Sequence, residues 1–212
     1  MATDLIEIDA LQPSEAAIDR AASAIGRGQI VAIPTDALYT LVCDPLNLHA
    51  VGRMFSAKGR ESSRSLPMLV SDIHMAEELA SETSPRFYLL ARRFWPGPLT
   101  IIVPASSRVP LRVTGNTGRL AIRLPHSIVA AALMTRLSQP LVATSANLSG
   151  QPTCSSGIDV FGMMDGRVDL VLDGGTVHGS GATTVDITEP YWRVIKEGAI
   201  PEKEIASVLK DS

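Results

Sequence analysis

The feature that most constrains this chain is a recurrence of short apolar runs, each closed by proline, glycine or a small polar residue. They are "LIEI" (5–8), "QIVAI" (29–33), "LPMLVS" (66–71), "LTIIVP" (99–104), "RLAIRLP" (119–125), "PLVATS" (140–145), "VDLVLDGG" (168–175), "ATTVDI" (182–187) and "YWRVIKEG" (191–198). Runs of this length and composition are strands. Helical segments separate the earlier ones. "PSEAAIDRAASAIGRG" (13–28) places apolar residues at 18, 21, 22 and 25, with Pro13 in its first turn and glycines at its end. Asn47 caps a helix through Val51, Met54 and Phe55, Asp72 caps a short one, and Ser84-Pro85 opens another that "WPGP" (95–98) ends. "SIVAAALMTRL" (127–137) is a mostly apolar helix, and a last one starts at Pro201. Strands alternate with helices early and cluster later. The expected class is α/β with α+β character: a twisted, mixed open sheet with helices packed on it.

With 212 residues, 45% hydrophobic, and a mean hydropathy of +0.18, the chain suits one compact domain over 1–212, its core spanning about 12–200. Cys43 and Cys154 lie in no metal or redox spacing and read as reduced thiols. "MATDLIEIDA" lacks the basic and apolar regions of a signal peptide, and no apolar run approaches the ~20 residues of a membrane span. A cytoplasmic protein without membrane contact is expected. Charge is uneven: residues 51–136 hold 12 Lys+Arg against 5 Asp+Glu, and the remainder 7 against 17. A basic middle between acidic flanks points to a focused anion site.

Familiar machinery is missing. No G-x-G-x-x-G follows the first strand and no G-x-x-x-x-G-K-[ST] occurs, so a nucleotide must be held in another way. His49, His74, His126 and His178 have no ligand spacing, and no G-x-S-x-G elbow presents a serine.

Three polar stretches sit at strand ends instead. "PTDALYT" (34–40) carries the hydroxyls of Thr35 and Tyr39 and the carboxylate of Asp36, a set equally suited to turn chemistry. "SAKGRESSRS" crowds Lys58, Arg60 and Arg64 between a helix end and a strand. The arginine fork and the lysine point charge together suit polyphosphate oxygens, or else a solvated helix end. "TSANLSGQPT" (144–153) has seven Ser, Thr, Asn, Gln or Gly among ten residues, enough to donate to a phosphate or a base edge. Arg119 and Arg123 lie four apart on one strand, on the same face, a pair suited to a carboxylate. "GSGATTVD" (179–186) is loose enough for its backbone to approach a ligand.

In this order "PTDALYTL", "KGRESSRSLPMLV", "WPGPLTIIV", "AIRLP", "ATSANLSGQPT" and "LVLDGG" resemble the YrdC/TsaC family of L-threonylcarbamoyladenylate synthases, from about residue 12 to residue 200. The resemblance implies the single-domain form, a YrdC-like fold with a concave basic surface, and synthesis of threonylcarbamoyl-AMP from L-threonine, bicarbonate and ATP. Pyrophosphate is released with Mg2+ assisting, and the product passes to a tRNA threonylcarbamoyl transferase complex. It also implies roles. Lys58, Arg60 and Arg64 would meet phosphates, with Ser62, Ser145, Asn147 and Thr153 also at the nucleotide, while Thr35 and Arg123 would hold threonine. Lys196 stands where the family favours arginine at the ATP site, Ala37 and Thr40 replace a threonine and a glycine, and Thr183 keeps a hydroxyl where serine is usual. Two other readings stay open: an RNA-binding module without turnover, for which 4% aromatic residues offer little stacking, and a paralogue acting on another substrate.

Overall fold

The structure, a computed structural model, describes residues 2–61 and 64–210. Its strands are β1 (Asp4–Glu7), β2 (Val31–Ile33), β3 (Thr40–Cys43), β4 (Met68–Leu69), β5 (Leu99–Pro104), β6 (Arg119–Arg123), β7 (Leu141–Ser145), β8 (Leu170–Asp173), β9 (Thr183–Asp186) and β10 (Arg193–Lys196). The helices are α1 (Glu15–Gly26), α2 (Leu48–Lys58), α3 (Ile73–Leu79), α4 (Pro85–Phe94), α5 (Leu111–Thr114), α6 (Ile128–Leu137), α7 (Gly157–Met164) and α8 (Glu202–Val208).

The strands form one mixed sheet in the order β1-β8-β2-β3-β7-β4-β6-β5-β9-β10. Pairing is parallel at β1/β8, β8/β2, β4/β6 and β5/β9 and antiparallel elsewhere. The expected mixed sheet is therefore present. Helix starts follow the side chains: Ser14, Asn47, Asp72 and Ser127 each accept a hydrogen bond from the backbone N–H three residues on. Pro13 precedes the cap of α1 instead of lying in its first turn, because Ser14 supplies the capping oxygen.

Alternation along the strands makes two unlike faces. One face carries Ala32, Leu41, Met68, Ile101, Leu120, Ile122, Val171 and Val185 into a continuous core with α2, α3, α4, α7 and α8. On the other, Val31, Ile33, Leu141, Leu170 and Leu172 pack under α1 and α6, through Ile18, Ala21, Ile25, Val129 and Leu133. That cluster reaches from Ile6 of β1 to Leu69 of β4 and includes no residue of β5 or β9. Toward β5 and β9 the same face presents Thr100, Ile102, Ala121 and Thr184 to a cavity. The fold thus leaves half of one sheet face bare, and the candidate site lies there.

Candidate functional site

The cavity has a volume of about 360 Å³. Its floor follows from register. Thr100 pairs with Thr184, Ile102 with Ala121, and Leu69 with Arg123, so these side chains rise from neighbouring strands on one face. Ala143 and Ser145 of β7 and Thr40 of β3 continue it. Alanine and threonine at its centre are short, and the sheet is hollow where they stand. The sequence signal for this floor is one short side chain on that face of each strand, Thr100 in "LTIIVP" and Ala121 in "RLAIRLP".

Arg123 enters at the end of β6. Its Nε donates to the Gly97 carbonyl at 3.0 Å and its Nη2 to Asp36 Oδ1. Those contacts occupy one edge of the guanidinium. Nη1 has no partner among the described residues, and Arg123 lines the cavity. Burial, opposed by the neighbouring Asp36 carboxylate, lowers the Arg123 pKa from its ordinary value. Arg119, expected to share an anion with Arg123, donates instead to Asp186 at 3.0 Å and to Glu189. The basic pair separates because Asp186 of β9, one strand beyond β5, meets Arg119 from across the sheet.

The cation stretch also divides. Lys58, the last residue of α2, is only 4% exposed and does not line the cavity. Its Nζ donates to the carbonyls of Ser145 at 2.5 Å and Asn147 at 2.9 Å and to Asn147 Oδ1 at 3.0 Å. Burial, reinforced by the Arg60 cation, pulls its pKa down to about 8. Lys58 thus stands apart from the other two cations of its stretch: its ammonium is bound to the chain's own loop. Gly59 caps α2 in the left-handed conformation and turns the chain. Arg60 then lines the cavity, its Nη2 3.4 Å from the Ser65 carbonyl and its buried Nε without a partner among the described residues. Arg64 is exposed and does not line the cavity. Ser62 lies outside the described residues.

Ser145 and Thr153 line the cavity, whereas Asn147 is buried beneath it. Asn147 Oδ1 accepts from Ser145 Oγ at 2.5 Å, and its Nδ2 donates to the carbonyls of Leu148 and Gln151. It shapes the loop from inside. Thr35 does the same for its own loop. Its hydroxyl donates to the Leu38 carbonyl at 2.7 Å and accepts from Ala37 N at 3.3 Å, and Thr35 is not among the lining residues.

The remaining wall runs from β8 to β9. The buried Tyr39 hydroxyl accepts from Gly174 N at 2.9 Å and donates to the Gly175 carbonyl at 2.8 Å, and burial pushes its phenol up to about 12. A Cβ on Gly179 would stand 1.7 Å from the Ala37 carbonyl oxygen, so only glycine fits that crossing. Gly181 and Ala182 then face the cavity. The Thr183 hydroxyl is buried and bonded within 198–200, away from it. A bulge between Val194 and Lys196 breaks the β9/β10 alternation, and both Ile195 and Lys196 line the cavity. Among the described residues the lining cations are Arg60, Arg123 and Lys196, and no carboxylate lines it.

A family model described as telomere recombination (Sua5/YciO/YrdC) matches residues 23–198. The chain belongs to the Sua5/YciO/YrdC family. Among relatives in that family, the threonylcarbamoyl-AMP synthase of Pyrococcus abyssi (strain GE5 / Orsay) is 36% identical over 190 residues, covering 89% of this chain and 56% of that protein. The one from Bacillus subtilis (strain 168) is 33% identical over 203 residues, covering 95% and 59%. The chain therefore spans under three fifths of the length of these two relatives. The crystal structure of P. abyssi Sua5 complexed with L-threonine matches with a TM-score of 0.93 at 35% identity, over 98% of this chain and 61% of that one. E. coli YciO shares the fold, with a TM-score of 0.87 at 24% identity over 97% of this chain and all of that one. Thr40, which replaces a glycine of the family pattern, lies in β3. Among described non-glycine residues φ is positive only at Asn116 and Ser138, so the backbone there does not demand glycine.

Proposed function

We propose that the chain joins L-threonine, bicarbonate and ATP into threonylcarbamoyl-AMP, releasing pyrophosphate. The observation that carries this reading is the cavity's charge pattern: Arg60, Arg123 and Lys196 line one space in which no carboxylate stands among the described residues. Two anionic substrates, an amino-acid carboxylate and a triphosphate, call for such a lining. A hollow of about 360 Å³ is within the usual range of small-ligand sites.

In this reading the neutral threonine amine forms a bond to the bicarbonate carbon, a bicarbonate C–O bond breaks, and the leaving hydroxide takes the amine proton as water, giving a carbamate. A carbamate oxygen then attacks the α-phosphorus, the bond to the β-phosphate oxygen breaks, and pyrophosphate leaves. Such a displacement needs alignment and charge neutralisation, with no protein nucleophile. Arg123 would hold the amino-acid carboxylate by its free edge. Arg60 and Lys196 would meet the phosphates, with Ser145 and Thr153 donating hydroxyls to the nucleotide. Lys58 and Asn147 would act beneath them by holding the loop, and Thr35 by shaping the opposite one. Arg64 would reach the phosphates from the exposed stretch before β4, and Ser62 is a nucleotide contact on the resemblance alone.

Mg2+ would enter as MgATP. Among the described residues no group of three His, Cys, Asp or Glu is arranged to hold a metal, and the lining offers hydroxyls only, which fits an ion carried mainly by phosphate oxygens. The adenylate would pass to a tRNA threonylcarbamoyl transferase complex. No helix among the described residues is long and apolar enough to cross a membrane.

The test is pyrophosphate release by the folded protein with MgATP, bicarbonate and each amino acid in turn. Release is expected with L-threonine and should stop when either other substrate is omitted. A folded sample that releases none would defeat the reading, and release with a different amino acid would mark a paralogue.

A further inference from the structure

We propose that Asp36 is a positioning residue that fixes the guanidinium of Arg123 so that a single edge meets an amino-acid carboxylate. The inference rests on the amino-acid reading of the cavity. Arg123 has five N–H donors in a rigid plane. Asp36 Oδ1 takes Nη2 and the Gly97 carbonyl takes Nε, the donors of one side edge. What remains is the end edge, where N–H groups of Nη1 and Nη2 run parallel, the geometry that a carboxylate matches with two oxygens.

Asp36 is itself held. Its Oδ1 also accepts from the backbone N–H of His126 at 3.1 Å, at the entrance to α6, and Ser127 Oγ donates to the Pro34 carbonyl at 3.0 Å. The loop carrying Asp36 is thereby tied to a helix that packs on the sheet. The second oxygen, Oδ2, is buried with no hydrogen-bond partner among the described residues. A carboxylate used only for structure would have both oxygens satisfied, and a buried oxygen left without a donor calls for an explanation. Here it follows from geometry. Oδ1 must meet two donors at once, and doing so turns Oδ2 away from both.

The same carboxylate also opposes the field of Arg123, which would weaken the capture of an anion. Positioning and repulsion therefore predict opposite signs for its removal, and a carboxylate-free ligand separates them.

The experiment measures equilibrium binding of L-threonine and L-threoninamide to the parent and to Asp36→Ala, which removes the acceptor that Asn would keep. The parent should prefer threonine by roughly ten- to a hundred-fold, the range of a charge-assisted contact. Asp36→Ala should lose most of that preference while threoninamide binding stays within about two-fold, since a general structural defect would weaken both ligands alike. An unchanged preference, an equal loss for both ligands, or tighter threonine binding would overturn the proposal. Should Asp36→Ala fail to fold, Asp36→Glu goes through the same pair. It keeps the charge, displaces the carboxylate and should still lower the preference, and an undiminished preference would overturn the proposal. A parent that binds neither ligand would instead sink the amino-acid reading itself.

Discussion

Lys58→Ala should unfold this protein more readily, although from the sequence it is one exposed cation of three. Three acceptors within 3.0 Å surround its ammonium, two of them main-chain carbonyls of the 145–147 turn. Truncation leaves both carbonyls short of a donor in a buried setting, at about 1–3 kcal/mol each. Two terms reduce the sum. Burial already works against the ammonium, and a pKa drawn from 10.5 to about 8 corresponds to about 3 kcal/mol. The loop can also relax, because Asn147 keeps its bonds to Ser145, Leu148 and Gln151. With those reductions a net loss of about 1–3 kcal/mol is expected, within the usual range for a buried polar contact. For a chain of this size each kcal/mol lowers Tm by about 2–4 °C. Urea titration followed by circular dichroism reads the loss directly. Lys58→Met, which keeps the apolar stem, should lose nearly as much, whereas Arg60→Ala should stay within about 0.5 kcal/mol of the parent and instead weaken ATP by roughly ten- to a hundred-fold. If Lys58→Ala unfolds at the parent's urea concentration, or Arg60→Ala loses as much stability, the sorting of the two cations is wrong.

Lys196→Arg should tighten ATP by about 1 kcal/mol, one added hydrogen bond, and Lys196→Ala should weaken it; equal affinities for parent and both variants would put Lys196 outside the phosphate path. Gly179→Ala should disturb the wall, because its Cβ would meet the Ala37 carbonyl at 1.7 Å. The expected result is a protein of lower Tm and much reduced pyrophosphate release, and parent-like behaviour would show that the 174–182 segment is not held as described. Stability should also fall at high pH. Burial raises both Cys43 and Tyr39 to about 12 from ordinary values of 9 and 10, so their contribution is whole below pH 9 and is lost as pH climbs toward 12. Lys58 works in the opposite sense. Its folded pKa lies below its unfolded one, so the fold gains from this group between about pH 8 and 10.5. The parent should hold nearly level through pH 9–10 and fall steeply above 10.5, while Lys58→Met should begin to fall near pH 9; superimposable urea midpoints across that range would refute the assignment.

Much of the sheet was legible because its strands are short, apolar and punctuated. "LTIIVP" is β5 residue for residue, and "RLAIRLP", "PLVATS" and "ATTVDI" contain β6, β7 and β9. β3 was missed because "TLVC" follows the polar loop 34–39 with no turn residue to separate them. β4 is only two residues long inside the expected six, since the chain meets β7 and β6 there for one pairing step before Asp72 caps α3. α7 was missed because "GIDVFGMM" holds two glycines, and propensity alone argues against it. Its place is decided by Ser156, which caps it, and by Val160 and Met164, which are buried in the core.

The site was legible as a set of residue types and illegible as a set of directions. Lys58, Arg60 and Arg64 fall within seven residues, and nothing in that spacing says which side chain turns inward. Direction is decided by where α2 stops. Lys58 is still helical, on the face that carries Met54 and Phe55 into the core, and its ammonium can only reach the loop after β7. Gly59 reverses the backbone at φ +59, which carries Arg60 out of the helix and over the bare sheet face. Arg64 follows toward solvent. A helix one residue longer would exchange these roles, although the sequence would look the same to a count of charges. The same logic governs Arg119 and Arg123. Both project from one face of β6, yet Arg119 meets Asp186 from β9 while Arg123 meets Asp36 from a loop. One carboxylate pairs its arginine alongside a second acid, Glu189, and the other leaves Nη1 of a cavity-lining arginine without a partner among the described residues. Strand register, fixed by the buried residues on the opposite face, makes that difference.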